Sequence, residues 1–188
     1  MCLRCKLPLL AVFSLFFALS AIRATTLARL SLDQLAGAAD GVARVRCAGI
    51  ESRWENGSIW TVTTFEVVQG VKGDLPPRLV VRLPGGKVGA ITTTVEGTPR
   101  FSRDEEAIVF LERSRAGGYT VSGWVEGTFR IALDAHSNRE LVTQDSSGMP
   151  LFDTGTRTFR AEGIRKMPIE MFRERLQAAI TRAQEKTR

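Results

Sequence analysis

The sequence predicts a mainly β domain, an antiparallel barrel with a β-sandwich as the alternative, bearing a short N-terminal helix and a C-terminal amphipathic helix. Three observations carry this expectation. Period-two alternation of apolar residues begins at Gly41. An Asn56-Gly57 pair sits between two runs rich in β-branched and aromatic residues. Helical spacing then returns only after Pro168.

The chain starts with Met1-Cys-Leu-Arg-Cys-Lys6, a short basic stretch, followed by an uncharged apolar run of sixteen residues from Leu7 to Ile22. Ala21 and Ala24 supply the small residues at which a signal peptidase cuts. Residues 1–24 are therefore expected to be a signal peptide, and 25–188 a single domain that works in the periplasm or outside the cell. The apolar run is shorter than the roughly 20 residues a membrane-crossing helix needs. Arg23, beside the cleavage position, keeps a retained anchor as the alternative, and that would be the chain's one link to a membrane. No cysteine follows the run closely enough for lipid attachment.

Cleavage after Ala24 removes Arg4, Lys6 and Arg23 and no acid, so Lys plus Arg falls from 26 to 23 against 20 acids. The formal charge goes from +6 to +3. That is an ordinary surface balance, and with the compartment it argues against nucleic acid as a partner. Cys2 and Cys5 leave with the leader, so Cys47 has no internal disulfide partner. About 160 residues are enough for one self-sufficient core.

Ser31 is a good N-cap for a helix over residues 31–40, with Leu32, Leu35, Ala36 and Ala39 on one side. In Val42–Ala48, Ala43, Val45 and Cys47 share the inward face of a strand and Arg44 and Arg46 the other, so Cys47 reads as a buried small hydrophobe. Residues 50–55 and 58–68 pair as a hairpin about Asn56-Gly57, which places Trp54 opposite Ile59 and Arg53 opposite Trp60. The second pairing allows a cation over an indole face or an aromatic shielding the sheet. Asn56-Gly57-Ser58 also matches a glycosylation acceptor, though a turn explains it better. After a break at 70–77, a strand resumes over 78–83 with Leu79, Val81 and Leu83 inward. Residues 84–99 read as a long irregular stretch, and strands follow at 107–111, 119–124, 129–133 and 140–143. The C-terminal helix spans about 168–184, with Ile169, Phe172, Leu176, Ala179 and Ala183 in one stripe. Glu96-Gly-Thr-Pro-Arg-Phe101 and Glu126-Gly-Thr-Phe-Arg-Ile131 look alike, each read as a turn leading into a strand.

The middle of the chain, residues 39–125, resembles netrin-like domains, whose best-known members are the tissue inhibitors of metalloproteinases. The resemblance lies in Ala39-Asp40 leading into Gly41–Val45, then Thr64–Val67, Val71-Lys72-Gly73, and Phe101 followed by Ala107–Leu111. It implies a barrel of the oligonucleotide/oligosaccharide-binding (OB) type, and it extends to uncharacterised exported bacterial proteins of the same pattern, for which no activity is implied. Those inhibitors bind zinc through a mature N-terminal cysteine. Here the mature terminus is expected near Thr25 or Ile22, so that mechanism has no residue to receive it.

No metal site is expected from one histidine and one mature cysteine, no acid spacing resembles a calcium loop, and no cofactor motif is present. No catalytic residue stands out. His136 falls in an apparent exposed turn, and Gly85-Gly-Lys-Val lacks the hydroxyl residue of a phosphate loop. The strongest binding candidate is the 84–100 loop, whose glycines let backbone amides approach a ligand and whose Lys87 and Arg100 favour an anionic one. Trp54 and Trp60 on the hairpin complete the candidate set. Arg44, Arg46, Arg78 and Arg82 would form a basic stripe if their strands lie side by side. The leading expectation is an exported binding module for a protein, a polysaccharide or an anionic surface. A carboxylate-dependent hydrolase is the alternative, and a protease inhibitor stands third.

Overall fold

The computed structural model describes residues 28–187, so the expected signal peptide over residues 1–24, with Cys2 and Cys5, lies outside the described residues. Helix α1 (Leu32–Ala38) leads into two long strands, β1 (Gly41–Glu55) and β2 (Ser58–Lys72). β3 (Arg78–Pro84), β4 (Gly86–Val88), β5 (Ile91–Thr93), β6 (Glu106–Arg113) and β7 (Tyr119–Val121) follow, then a 3-10 turn over Trp124–Gly127. β8 (Thr128–Asp134), β9 (Arg139–Gln144), β10 (Leu151–Asp153), β11 (Thr158–Arg160), β12 (Met167–Pro168) and α2 (Ile169–Thr187) complete the chain.

Local chemistry accounts for the first elements. Ser31 caps α1 in a reciprocal box with Gln34: each side chain satisfies the other's backbone N–H. Asn56 and Gly57 have φ of 48° and 78°, the left-handed pair a two-residue hairpin turn requires. The register follows, with Trp54 opposite Ile59 and Arg53 opposite Trp60.

The fold is mainly β, with a helix near each end of the described chain, but the main sheet is mixed rather than antiparallel. Strands β1, β2, β3, β7 and β6 are hydrogen-bonded in that order, and β6 pairs back onto β1. Each antiparallel pairing reverses strand direction, so a closed circuit must contain an even number of them. With five pairings at least one must be parallel, and it is β3 with β7, joined at Val81 and Tyr119. β8, β9 and β12 extend the sheet from β6.

Two apolar clusters result. Val45, Cys47, Phe65, Val81, Val109 and Val121 lie on the inner side of the circuit, with Phe101 meeting Phe65 edge-on at 4.8 Å. On the other side of β1, β6, β8 and β9, Val42, Ile108, Phe110 and Phe129 pack against the Phe172 stripe of α2 and Leu35 of α1. β6 is covered on both faces, which is why Ala107–Leu111 is apolar without alternation.

The 84–99 stretch is not wholly irregular, because β4 and β5 form a small hairpin within it. Trp124 leaves the strand expected there: Gly123 and Trp124 both take positive φ and start the 3-10 turn. Of the two look-alike segments, only Glu126–Ile131 runs directly into a strand, β8. β10, β11 and β12 are too short to have left a period in the sequence.

Phe65 is fully buried in the inner cluster, whereas Phe159 is 61% exposed on β11. Phe65→Ala is expected to lower unfolding free energy by about 3–5 kcal/mol, and Phe159→Ala by less than about 0.5 kcal/mol, both read from urea denaturation.

Candidate binding cleft

The hairpin supplies the floor of a cleft. Between Cys47 and Gly49 the β1–β2 register shifts, leaving Ala48 without a partner. Beyond this bulge Ile50, Ser52 and Trp54 continue the face begun by Val45 and Cys47, opposite Thr63, Thr61 and Ile59. The segment after β3 folds back over this floor. Thr61 donates from its hydroxyl to the Gly85 carbonyl at 2.7 Å, and Ser52 Oγ lies 2.9 Å from Thr61 Oγ1. Gly86, at φ 138°, passes so close that a Cβ there would sit 2.3 Å from Thr61 Oγ1 and 2.4 Å from Ser52 Oγ. Only glycine fits this crossing. The enclosed space is about 180 Å³, lined by Ser52, Thr61, Thr63, Lys87, Thr98 and Arg100 among others, with Phe101 at its base. Thr98 Oγ1 is buried and has no hydrogen-bond partner.

Arg130 on β8 holds the far wall. Its guanidinium grips Asp145 with two bonds of 2.7 and 2.5 Å, meets Glu105 at 2.7 Å, donates to the Arg100 carbonyl at 2.7 Å and lies 4.4 Å over the Phe101 ring. Burial works against its charge, and the hydrogen bonds and field of Asp145, then Glu105, outweigh it, so its pKa is raised. The two look-alike segments meet here through Arg130, and Val125, just before the second, donates its N–H to the Gly97 carbonyl at 3.1 Å.

Lys87 and Arg100 both reach the cleft, both are exposed, and neither forms an ion pair among the described residues. Arg100 donates to Thr94 Oγ1 at 3.1 Å. Trp54, 50% exposed, stands on the same hairpin face nearer the tip, outside the cleft lining. Trp60 is on the opposite face, where Arg82, not Arg53, lies 5.7 Å from its ring; Arg53 bonds Glu55 instead. The four candidates therefore do not converge. Of the loop glycines, Gly85 has its N–H bonded to the Ile59 carbonyl, and Gly86 lies in β4 opposite Thr93.

β2 lies between β1, which carries Arg44 and Arg46, and β3, which carries Arg78 and Arg82, so the strands that would make a basic stripe are not side by side, and each of the four arginines meets an acid. Arg44 bonds Glu140 through two nitrogens at 2.8 and 2.6 Å and Glu106 at 2.7 Å; Arg46 reaches Glu106, Arg78 reaches Glu66, and Arg82 reaches Glu55. Sequence reasoning missed Ser52, Thr61, Thr98 and Arg130. The hairpin register already placed Ser52 opposite Thr61, whereas Thr98 and Arg130 leave no local signal.

The arrangement suits binding better than acid–base work. Hydrogen bonding from Arg44 holds the Glu140 carboxyl below the usual glutamate range. Partial burial pushes Glu106 the other way, but bonds from Arg46 and Arg44 outweigh it and its pKa is lowered too. A general acid at neutral pH needs the reverse. The His136 side chain is 99% exposed beside Asp134, and burial raises the Cys47 thiol, which leaves it inert. Among the described residues no three His, Cys, Asp or Glu side chains are placed to hold a metal, and no helix is long and apolar enough to cross a membrane. No family model, curated protein or solved structure matches the chain.

Glu106 and Glu140 ionise more readily in the fold than in the unfolded chain, so their stabilisation is complete above the ordinary glutamate pKa of about 4.3. It is lost as pH falls through their lower folded values. Urea midpoints are expected to hold from neutral pH to near that value and then drop, and Arg44→Met to shallow the drop.

Proposed function

We propose that this chain is an exported binding module whose ligand site is the cleft between the β1–β2 hairpin and residues 84–101. The observation that carries the reading is the cleft itself, where, among the described residues, Lys87 and Arg100 are exposed and free of ion pairs, the Ser52 and Thr61 hydroxyls lie in the lining, and no acidic side chain lines it. Such convergence of polar groups on a preformed cleft is the usual form of a small-ligand site. The ligand is a component of the cell envelope or exterior.

The five-strand circuit is read as a small OB-type barrel, and with it the netrin-like resemblance as one of scaffold. Support comes from the circuit's pairings and the apolar cluster on its inner side. Export rests on the leader pattern of residues 1–24.

Two measurements test this. Intact mass of the exported protein is expected to give an N-terminus at Thr25; a chain that retains residues 1–24 rejects cleavage. Lys87→Ala combined with Arg100→Ala is expected to cut retention of the protein on envelope fractions at least about fivefold, with circular dichroism unchanged because both side chains are exposed. Unchanged retention rejects the cleft as the site.

A further inference from the structure

We propose that the cleft takes a small hydroxy-carboxylate, free or as the terminal unit of a longer chain, an assignment that rests on the cleft being the ligand site. A carbonyl only accepts, so the single proton of Thr61 goes to Gly85 O. The bond between Ser52 and Thr61 must then use the proton of Ser52. Ser52 consequently presents lone pairs alone to the cleft, and a ligand must bring it a donor.

The rim demands the opposite. Lys87 and Arg100 carry only donors and positive charge, and no acidic side chain lines the cleft to compete for them. A fully ionised oxyanion such as sulfate satisfies the cations and leaves Ser52 without a donor. A neutral alcohol does the reverse. A ligand with a carboxylate and a nearby hydroxyl satisfies both, and the cleft volume of about 180 Å³ suits a single small unit.

Nuclear magnetic resonance titration of the exported protein with glucuronate, glucose and sulfate tests the assignment. Glucuronate is expected to shift the amides of Ser52, Thr61, Lys87 and Thr98, with an affinity about tenfold above those of glucose and sulfate. Ser52→Ala keeps the Thr61–Gly85 bond and is expected to weaken glucuronate about five- to tenfold while leaving sulfate unchanged. A glucuronate oligomer that binds through the same amides about tenfold more tightly than the monomer identifies a chain end as the source; equal affinity identifies a free ligand. Sulfate binding in the cleft as tightly as glucuronate, or a Ser52→Ala variant that loses nothing, overturns the ligand class and leaves the cleft in place. Absence of glucuronate binding overturns the class as well, while the envelope retention of the Lys87 and Arg100 variants reports separately on the cleft. Glucuronate shifts confined to another surface overturn both.

Discussion

Pairing of β1 along both of its edges is the constraint from which the rest of the structure follows. β2 takes one edge over its full length and β6 takes the other from Gly41 to Arg46. A strand held on both sides cannot slide without breaking two ladders at once, so its register is fixed. Closing the circuit with five strands then compels a parallel seam. It falls at β3 and β7, the least extensive pairing in the circuit. β6 is sealed between two apolar clusters for the same reason, because its neighbours β1 and β8 carry one cluster to each face.

The outward arginines of this frame are matched to acids. Arginines that project outward from β1 and β3 are met by acids from β6, β9 or the hairpin itself, and Arg130 is matched to Asp145 and Glu105. Exposed pairs such as Arg78–Glu66 contribute little to stability. What the matching does is give every arginine of β1 and β3 an acid, whereas no acid lines the cleft beside Lys87 and Arg100. Arg130 joins the two arrangements: the same guanidinium that is neutralised by acids also fixes the Arg100 carbonyl and covers Phe101.

Legibility in the sequence tracked how local the determining interaction is. The β1–β2 hairpin was readable to the residue because Asn56-Gly57 sets both turn and register within a few positions. The α2 stripe was readable because helical period is a local property. The parallel seam was not, since it follows from a closure that involves strands far apart in the chain. The acids that meet the outward arginines were not readable for a similar reason: Glu140, which binds Arg44, lies 96 residues away. Lys87 and Arg100 were found through loop length and charge, whereas Ser52 and Thr61 matter only because the Gly85-Gly86 segment folds back over them. The β4–β5 hairpin hid behind its glycines, which signal turns more strongly than strands.

Fold and site are joined at one unpaired residue. Without Ala48 as the extra position, alternation from Cys47 would carry Gly49, Glu51, Arg53 and Glu55 onto the inner face. The cleft floor would then present two acids and an arginine in place of Ile50, Ser52 and Trp54. Gly86 could not cross there, because its backbone clears only the short Ser52 and Thr61 hydroxyls. The bulge thus selects the residues of the floor, the floor admits the Gly85-Gly86 crossing, and the crossing orients the Thr61 and Ser52 protons. A backbone irregularity of one residue determines which hydrogen-bonding groups the cleft can offer.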